Sequence, residues 1–488
     1  MILFEPDRRR NVAPTLVDQA VTALENAIQA RTLRPGMTLP SVRQFARTHG
    51  LSTFTVMAAY NRLVARGLLQ SRPGANFRVG RQKQAAPAPV PEWVTPSIGA
   101  SWLLADVFAD HSISIKAGCG WLPPDWHDQA GLPHAMRQIS RVPISQISSY
   151  GHPLGYHPLR EHIAHGLLEH GLDIAPDQVL LTHGATQALD IVVRTLLRPG
   201  DHVAVESPCY ANLLQILALN RITVHAVPRT AEGIREETLE ALARRHPIRA
   251  LFVTTVLQNP TGASFTMAGA FRLLQLAERH DFLVVEDDTS RDLLPGPAPM
   301  LAALAGLSRV IYVSGFSKSV MPSTRVGYLA CAKPLVDQCA RIKMSLGLTS
   351  TEVMERAVYH VLRDGRHGTY LRGIRERLRQ AHDRVTAAMR THGFEVWEEP
   401  GAGLFLWARP PAPCPTGDGM IRLAAQALKA GIWLAPGSYF DPEGREEGWM
   451  RFNVAYSGNP RLWRFFQGAL GGPDAGPESK PPANTSSR

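Results

Sequence analysis

Apolar and polar positions along the chain follow two rhythms, one before residue 80 and one after about residue 113. Val17, Val21, Leu24 and Ile28 recur at helical spacing between Pro14 and Thr32, which predicts an amphipathic helix with one buried stripe. Leu33-Arg34-Pro35-Gly36 ends it. A second helix is expected from Ser41, as N-cap, through Val42, Phe45 and Ala46 to His49, with Gly50 as the turn. Ser52 caps a third, whose inner face is Val56, Ala59, Tyr60 and Leu63 and which Gly67 closes. Leu68 to Val79 then reads as a hairpin with a turn-forming tip, Arg72-Pro73-Gly74-Ala75-Asn76. In the later part, apolar runs at Gln178–Thr182, His202–Glu206, Ala250–Thr255, Phe282–Glu286 and Val310–Val313 alternate with amphipathic helical stretches. That alternation predicts a mostly parallel, wound α/β sheet.

Between the two rhythms lies Gln82 to Pro96, with Ala-Ala-Pro-Ala-Pro-Val-Pro, a proline-spaced stretch that favours extended backbone and packs no core. The expected division is therefore a small domain at 14–80, a tether at 81–112, a large domain at 113–468 and a Pro/Gly/Ser-rich disordered tail at 469–488. A chain of 488 residues has room for this many parts. The net charge of +10 is uneven: residues 1–80 carry eleven arginines and no lysine against Glu5, Asp7, Asp18 and Glu25. Such a surplus suits a polyanionic partner, although a solvated basic face would look the same. Five scattered cysteines without a C-x-x-C pair fit a reducing compartment and argue against a zinc site, so no metal is expected. No apolar run has the length of a membrane span, and Met1 to Arg10 lacks the apolar core of a signal peptide, which together predict a cytoplasmic protein with no membrane partner.

A packing helix followed by two short helices across a glycine turn is the helix-turn-helix plan, in which the last helix enters the major groove of double-stranded DNA. Pro35-Gly36, Leu39-Pro40-Ser41-Val42-Arg43, Ser52 with Thr55-Val56, Tyr60, Leu63 and Gly67-Leu68 resemble the GntR-type winged helix over nearly all of this segment. The resemblance implies that Arg43, Ser52, Thr53, Thr55, Arg72 and Gly74 contact DNA. Where that family often has a basic or polar residue this chain has Thr53, followed by Phe54, so base readout is expected to include apolar contact with thymine methyls.

The chemistry of the large domain sits where its apolar runs end, the edge at which parallel sheets place ligands. After Val310–Val313 come Ser314, Gly315, Phe316, Ser317 and Lys318, then Arg325, Gly327 and Tyr328. Hydroxyls and a guanidinium hold a phosphate while a lysine amine condenses with an aldehyde, a description that pyridoxal 5′-phosphate meets; taken alone, a surface loop with an incidental lysine meets it equally well. Thr182-His183-Gly184-Ala185-Thr186-Gln187-Ala188-Leu189 is a strand, a small-residue turn and a helix start, able to bind an anion or merely to turn. Glu206-Ser207-Pro208-Cys209-Tyr210 puts an aromatic at a loop tip, where a flat ring could stack. Leu257-Gln258-Asn259-Pro260-Thr261-Gly262 offers the Asn259 amide to a phenolate oxygen. In Glu286-Asp287-Asp288, a buried carboxylate beside a pyridinium nitrogen would keep the ring protonated; paired acids could instead hold magnesium.

Together with Tyr150 to Arg160, Met450-Arg451-Phe452-Asn453 and Pro436-Gly437-Ser438-Tyr439-Phe440, these motifs resemble fold-type I, class I aminotransferases across almost the whole large segment, in chain order. The resemblance implies a pyridoxal-phosphate fold with a smaller C-terminal α+β subdomain. Lys318 would form the internal aldimine, Asp287 would meet the pyridine nitrogen, Asn259 the ring oxygen, and Tyr210 would stack on the ring. Gly184, Ala185, Thr186, Ser314, Ser317 and Arg325 would surround the phosphate, and Arg451 would take an effector carboxylate. Members usually place a tyrosine two or three residues after the aspartate; Thr289 and Ser290 stand there instead, which is expected to weaken turnover. A GntR-type winged helix tethered to such a domain resembles the MocR regulators. That likeness implies a homodimeric, pyridoxal-phosphate-dependent regulator that reads paired half-sites and senses the cofactor or an amino compound. The alternative is an active aminotransferase, for aromatic amino acids or 2-aminoadipate, with an accessory DNA module.

Overall fold

The computed structural model describes residues 15–30, 32–71, 77–80, 113–127, 131–412, 414–415, 418–445 and 447–470. Arg72 and Gly74 of the wing tip, the 81–112 tether and the tail from Gly471 lie outside them. The chain forms two compact units, 1–94 and 95–488, each with its own core.

In the first unit, α1 (Leu16–Gln29) opens with a capping box in which Thr15 and Asp18 satisfy each other's backbone amides. α2 (Val42–His49) starts at Ser41, whose hydroxyl accepts from the Gln44 amide, and stops at Gly50 with φ 62°. α3 (Thr53–Ala65) starts at Ser52. Ala20, Val21, Leu24, Phe45, Val56, Tyr60 and Leu63 form one buried cluster, and the Tyr60 hydroxyl donates to the Pro40 carbonyl at 3.1 Å. β1 (Leu69–Gln70) pairs antiparallel with β2 (Arg78–Val79), as the hairpin expectation required. Three helices and a two-stranded ribbon make the winged helix-turn-helix.

The second unit holds an eight-stranded sheet in the order β3 (Val179–Thr182), β10 (Gly327–Ala330), β9 (Val310–Gly315), β8 (Leu283–Asp287), β7 (Ile248–Thr254), β4 (His202–Ser207), β5 (Thr223–Thr230) and β6 (Gly233–Ile234). The neighbours β9, β8, β7, β4 and β5 run parallel, while β10 is antiparallel to both β9 and β3. All five apolar runs are strands within two residues of the expected bounds. Val310–Gly315, with neighbours on both sides, is buried throughout as a central strand must be, and Val179–Thr182 is buried throughout although it ends the sheet. A smaller antiparallel sheet, β11 (Glu395–Val396), β12 (Phe405–Arg409), β14 (Met450–Asn453) and β13 (Ala435–Pro436) in spatial order, packs its own core with the long helix His367–Thr391.

The parallel register sets the carboxyl ends of β7, β8 and β9 side by side: Thr254 lies opposite Asp287, and Asp287 opposite Val313. A buried ion pair braces this edge. Arg229 binds Glu206, donates to the Thr254 carbonyl at 2.8 Å and reaches the Ala263 carbonyl at 3.2 Å, while Glu206 accepts the Thr254 amide at 2.9 Å. Among the described residues no helix is long and apolar enough to cross a membrane.

Candidate functional site

Lys318 follows β9 by three residues, half-buried, and its Nζ donates to the Gly120 carbonyl. Burial pushes its amine down to about 8, and the Arg451 charge pushes the same way. Asp287 ends β8. Thr289 donates to its Oδ1 through both the amide, at 3.1 Å, and the hydroxyl. Burial raises the Asp287 carboxyl, opposed by those two bonds and by the charge of Lys318. The flanking acids are committed elsewhere: Glu286 binds Thr255, Leu301 and Ala302, and Asp288 binds Arg291 and Tyr312. Of the three acids in that run, Asp287 is therefore the carboxylate available to a ligand.

The anion corner is built by close backbone approach. Gly184, at φ 80°, precedes the helix Ala185–Leu196, whose first amides have no carbonyl four residues back to donate to. A Cβ on Gly184 would lie 2.7 Å from an Arg325 nitrogen, and one on Gly327 would lie 2.4 Å from the Gly184 carbonyl carbon. Both glycines are thus required for Arg325 and the helix start to meet. Arg325 donates to the His183 carbonyl at 3.3 Å. Thr186 Oγ1 lies 3.1 Å from the Tyr210 hydroxyl, which also accepts from Asn212 at 3.0 Å. Ser317 is half-buried beside Lys318. Ser314 spends its hydroxyl proton on the Asp288 carbonyl at 3.1 Å, so it offers a phosphate no donor in this arrangement.

Arg451, on β14, forms the facing wall. Its guanidinium lies between the rings of Phe405 and Phe440, 4.8 and 4.7 Å from their centroids. It donates to Asn259 Oδ1 at 2.7 Å and to the Gly118 carbonyl at 2.6 Å, while its buried Nε has no partner among the described residues. With Oδ1 engaged, Asn259 keeps its Nδ2 donor for a ligand acceptor. The strip Gly118–Gly120 escaped the sequence reading. Asn453 holds it, donating to the carbonyls of Cys119 at 3.1 Å and Trp121 at 2.8 Å. Its small residues advertise little, because the contacts to Lys318 and Arg451 come from backbone oxygens.

In the first unit, Arg43 and Thr53 are exposed near the starts of α2 and α3, and Thr55 is half-buried. Ser52 is taken up by capping: its Oγ accepts the Thr55 amide at 3.0 Å and lies 2.8 Å from the Thr55 hydroxyl. Phe54, the second residue of α3, is 83% exposed. If the apolar base contact expected from the sequence forms, Phe54→Ala weakens binding to a cognate duplex about three- to tenfold with an unchanged salt slope. Arg43→Ala should instead lower the slope of log K against log salt by about one. Fluorescence anisotropy across a salt series separates the two.

A mostly parallel sheet that carries a half-buried lysine at its carboxyl edge, with an acid one strand away and an arginine supplied by a smaller sheet, is the architecture of the aminotransferases. The chain belongs to the aminotransferase class I and II family, whose model matches residues 123–461. Residues 16–79 match the model for bacterial regulatory proteins of the gntR family. The HTH-type transcriptional regulator YdcR of Escherichia coli (strain K12) is 29% identical over 91% of this chain and 96% of its own. The probable rhizopine catabolism regulatory protein MocR of Rhizobium meliloti is 29% identical over 80% of this chain and 81% of its own. Among solved structures, the α-aminoadipate aminotransferase LysN of Thermus thermophilus, complexed with N-(5′-phosphopyridoxyl)-L-leucine, superposes with a TM-score of 0.67 and 26% identity. The match covers 74% of this chain and 93% of that one.

Proposed function

We propose that this protein is a cytoplasmic transcriptional regulator that binds double-stranded DNA through residues 14–80 and holds pyridoxal phosphate in the 113–468 domain, where it senses the cofactor or an amino compound. The observation that carries the reading is the joining, in one chain, of a gntR-type winged helix to an aminotransferase-family domain, over a span shared with relatives named as regulators.

The residues present suit the cofactor. Ala185 at the helix start, with Thr186, Ser317 and Arg325, offers donors to a phosphate, while Gly184, whose amide donates to the Thr182 carbonyl at 2.9 Å, supplies the close approach. Lys318 offers an amine to an aldehyde, Asp287 a carboxylate to a ring nitrogen, Asn259 a donor to a ring oxygen, and Tyr210 an aromatic face. When bound, the cofactor supplies an electrophilic carbon and an electron sink for amino compounds. Thr289 fixes Asp287 through two hydrogen bonds, and no tyrosine stands at that loop. Arg451, with Nε unpaired, receives a ligand carboxylate in competition with the Gly118 carbonyl. Displacing the Gly118 carbonyl rearranges the 118–120 strip within this domain. In a homodimer, two winged helices would address paired half-sites, with the arginines of residues 1–80 neutralising phosphates.

One second reading has an observation behind it. Lys318, Asp287 and Arg451 are all present, so the chain could act as an aminotransferase. Footprinting of the full-length protein on DNA upstream of its own gene, with and without pyridoxal phosphate and amino acids, tests the regulator. A protected pair of half-sites whose occupancy changes with ligand is expected, together with at most one spectral turnover per site when an amino donor and a keto acid are supplied. Absence of protection, with many turnovers per site, would give the enzyme reading the field.

A further inference from the structure

Three histidines meet at the end of the sheet remote from Lys318. His202 opens β4, His225 is the third residue of β5, and His246 follows the helix Glu236–Arg245 at the turn into β7. The register explains the meeting. Ala204 lies opposite His225, and His202 lies opposite Ile248. Two residues back from Ala204 is His202, so strand alternation turns His202 and His225 to one face, and the extended backbone of His246, two residues before Ile248, brings the third imidazole beside them. All three are half-buried. Their rings stack nearly parallel, with centroids 5.1, 5.1 and 4.4 Å apart, and His202 Nδ1 lies 2.8 Å from His225 Nε2. One ring nitrogen from each lies within 4.8 Å of the other two.

We propose that His202, His225 and His246 bind one divalent transition-metal ion through three imidazole nitrogens, with the remaining coordination position open to water. Bonds of about 2.0–2.1 Å in a tetrahedral arrangement put ligand nitrogens roughly 3.3 Å apart, so nitrogens that now lie within 4.8 Å of one another close by up to about 1.5 Å, a shift that rotation of the side chains supplies. An all-imidazole set with no carboxylate selects zinc, cobalt, nickel or copper over magnesium or calcium. The ion clips together the amino ends of β4, β5 and β7. β4 is six residues long, which separates this site from the carboxyl edge by about 17 Å at the usual strand rise. Metal and pyridoxal phosphate are therefore independent occupants. Scattered cysteines led to the expectation of no metal, and that argument does not reach histidines that only the parallel register brings together.

The test uses untagged, full-length protein loaded with pyridoxal phosphate, stripped with chelator and titrated with zinc and with cobalt(II). One equivalent per chain is expected, with the visible absorption of tetrahedral cobalt(II) and a rise in melting temperature. The chain has 18 histidines, so the variants decide. H225Q should weaken zinc binding at least about tenfold, a lower bound set by what even outer-shell changes cost. H202Q/H246Q should abolish the cobalt spectrum, and in both the cofactor absorption should stay unchanged. Should H225Q fail to fold, H246Q, which alters a residue outside the strands, carries the same test. No stoichiometric metal, or an affinity and cobalt spectrum equal to wild type in folded H225Q or H246Q, would overturn the proposal while leaving the pyridoxal-phosphate reading intact.

Discussion

Lys318→Ala will leave purified protein without the visible absorption that borohydride bleaches in the wild type, even after pyridoxal phosphate is added. The loss is expected to be complete, since a methyl group cannot condense with an aldehyde and the neighbouring nitrogen donors do not substitute: Arg451 stays protonated, and Arg325 faces the phosphate corner. The same lysine sets a pH dependence. Burial holds the folded amine at about 8, below the ordinary lysine value of 10.5, so its neutral, nucleophilic form dominates above pH 8. Uptake of pyridoxal phosphate by the stripped protein should rise about tenfold per pH unit below 8 and flatten above it, well before an exposed lysine would. Stopped-flow absorbance from pH 6 to 10 reads that inflection. A band retained in the variant would move the cofactor to another lysine, and no band in the wild type would leave the domain an aminotransferase-shaped scaffold for some other effector.

How much of this was legible beforehand depends on whether a residue acts through its side chain at the end of an apolar run. Lys318, Asp287, Asn259 and Tyr210 each follow such a run, and the fold brings those ends together because the strands are parallel. Capping residues were equally plain, since Ser41, Ser52 and Gly50 each stand where periodicity starts or stops. β5 escaped because it lies near the sheet's edge, where Pro228 and polar residues break the alternation, and β10 because four residues beginning with glycine carry little pattern. Gly118 and Gly120 act through carbonyl oxygens, which no sequence pattern reports. Thr289 reads as the loss of a tyrosine; in three dimensions it is also a gain, the clamp on Asp287.

Arg451→Met should separate recognition of a ligand's carboxylate from recognition of its amine. Arg451 is buried between two aromatic rings, and burial pushes its guanidinium down only to about 10, so it remains charged at neutral pH. A carboxylate that meets this fork forms charge-assisted bonds in a desolvated site. Deleting one partner of such a pair costs about 2–5 kcal/mol, so affinity for an amino acid should fall by at least about 30-fold and by more where the site is fully closed. Arg451→Lys restores the charge without the planar fork and should recover only part of that loss. A simple alkylamine, which can take the place of the Lys318 amine on the cofactor but has no carboxylate, should bind the wild type and Arg451→Met within about threefold of each other. Spectral titration of each variant with an amino acid and with its decarboxylated amine gives both numbers. Equal losses for the two ligands would mean that Arg451 acts by anchoring Gly118 and Asn259. A loss confined to the amino acid would make the carboxylate the feature that competes with the Gly118 carbonyl for Arg451.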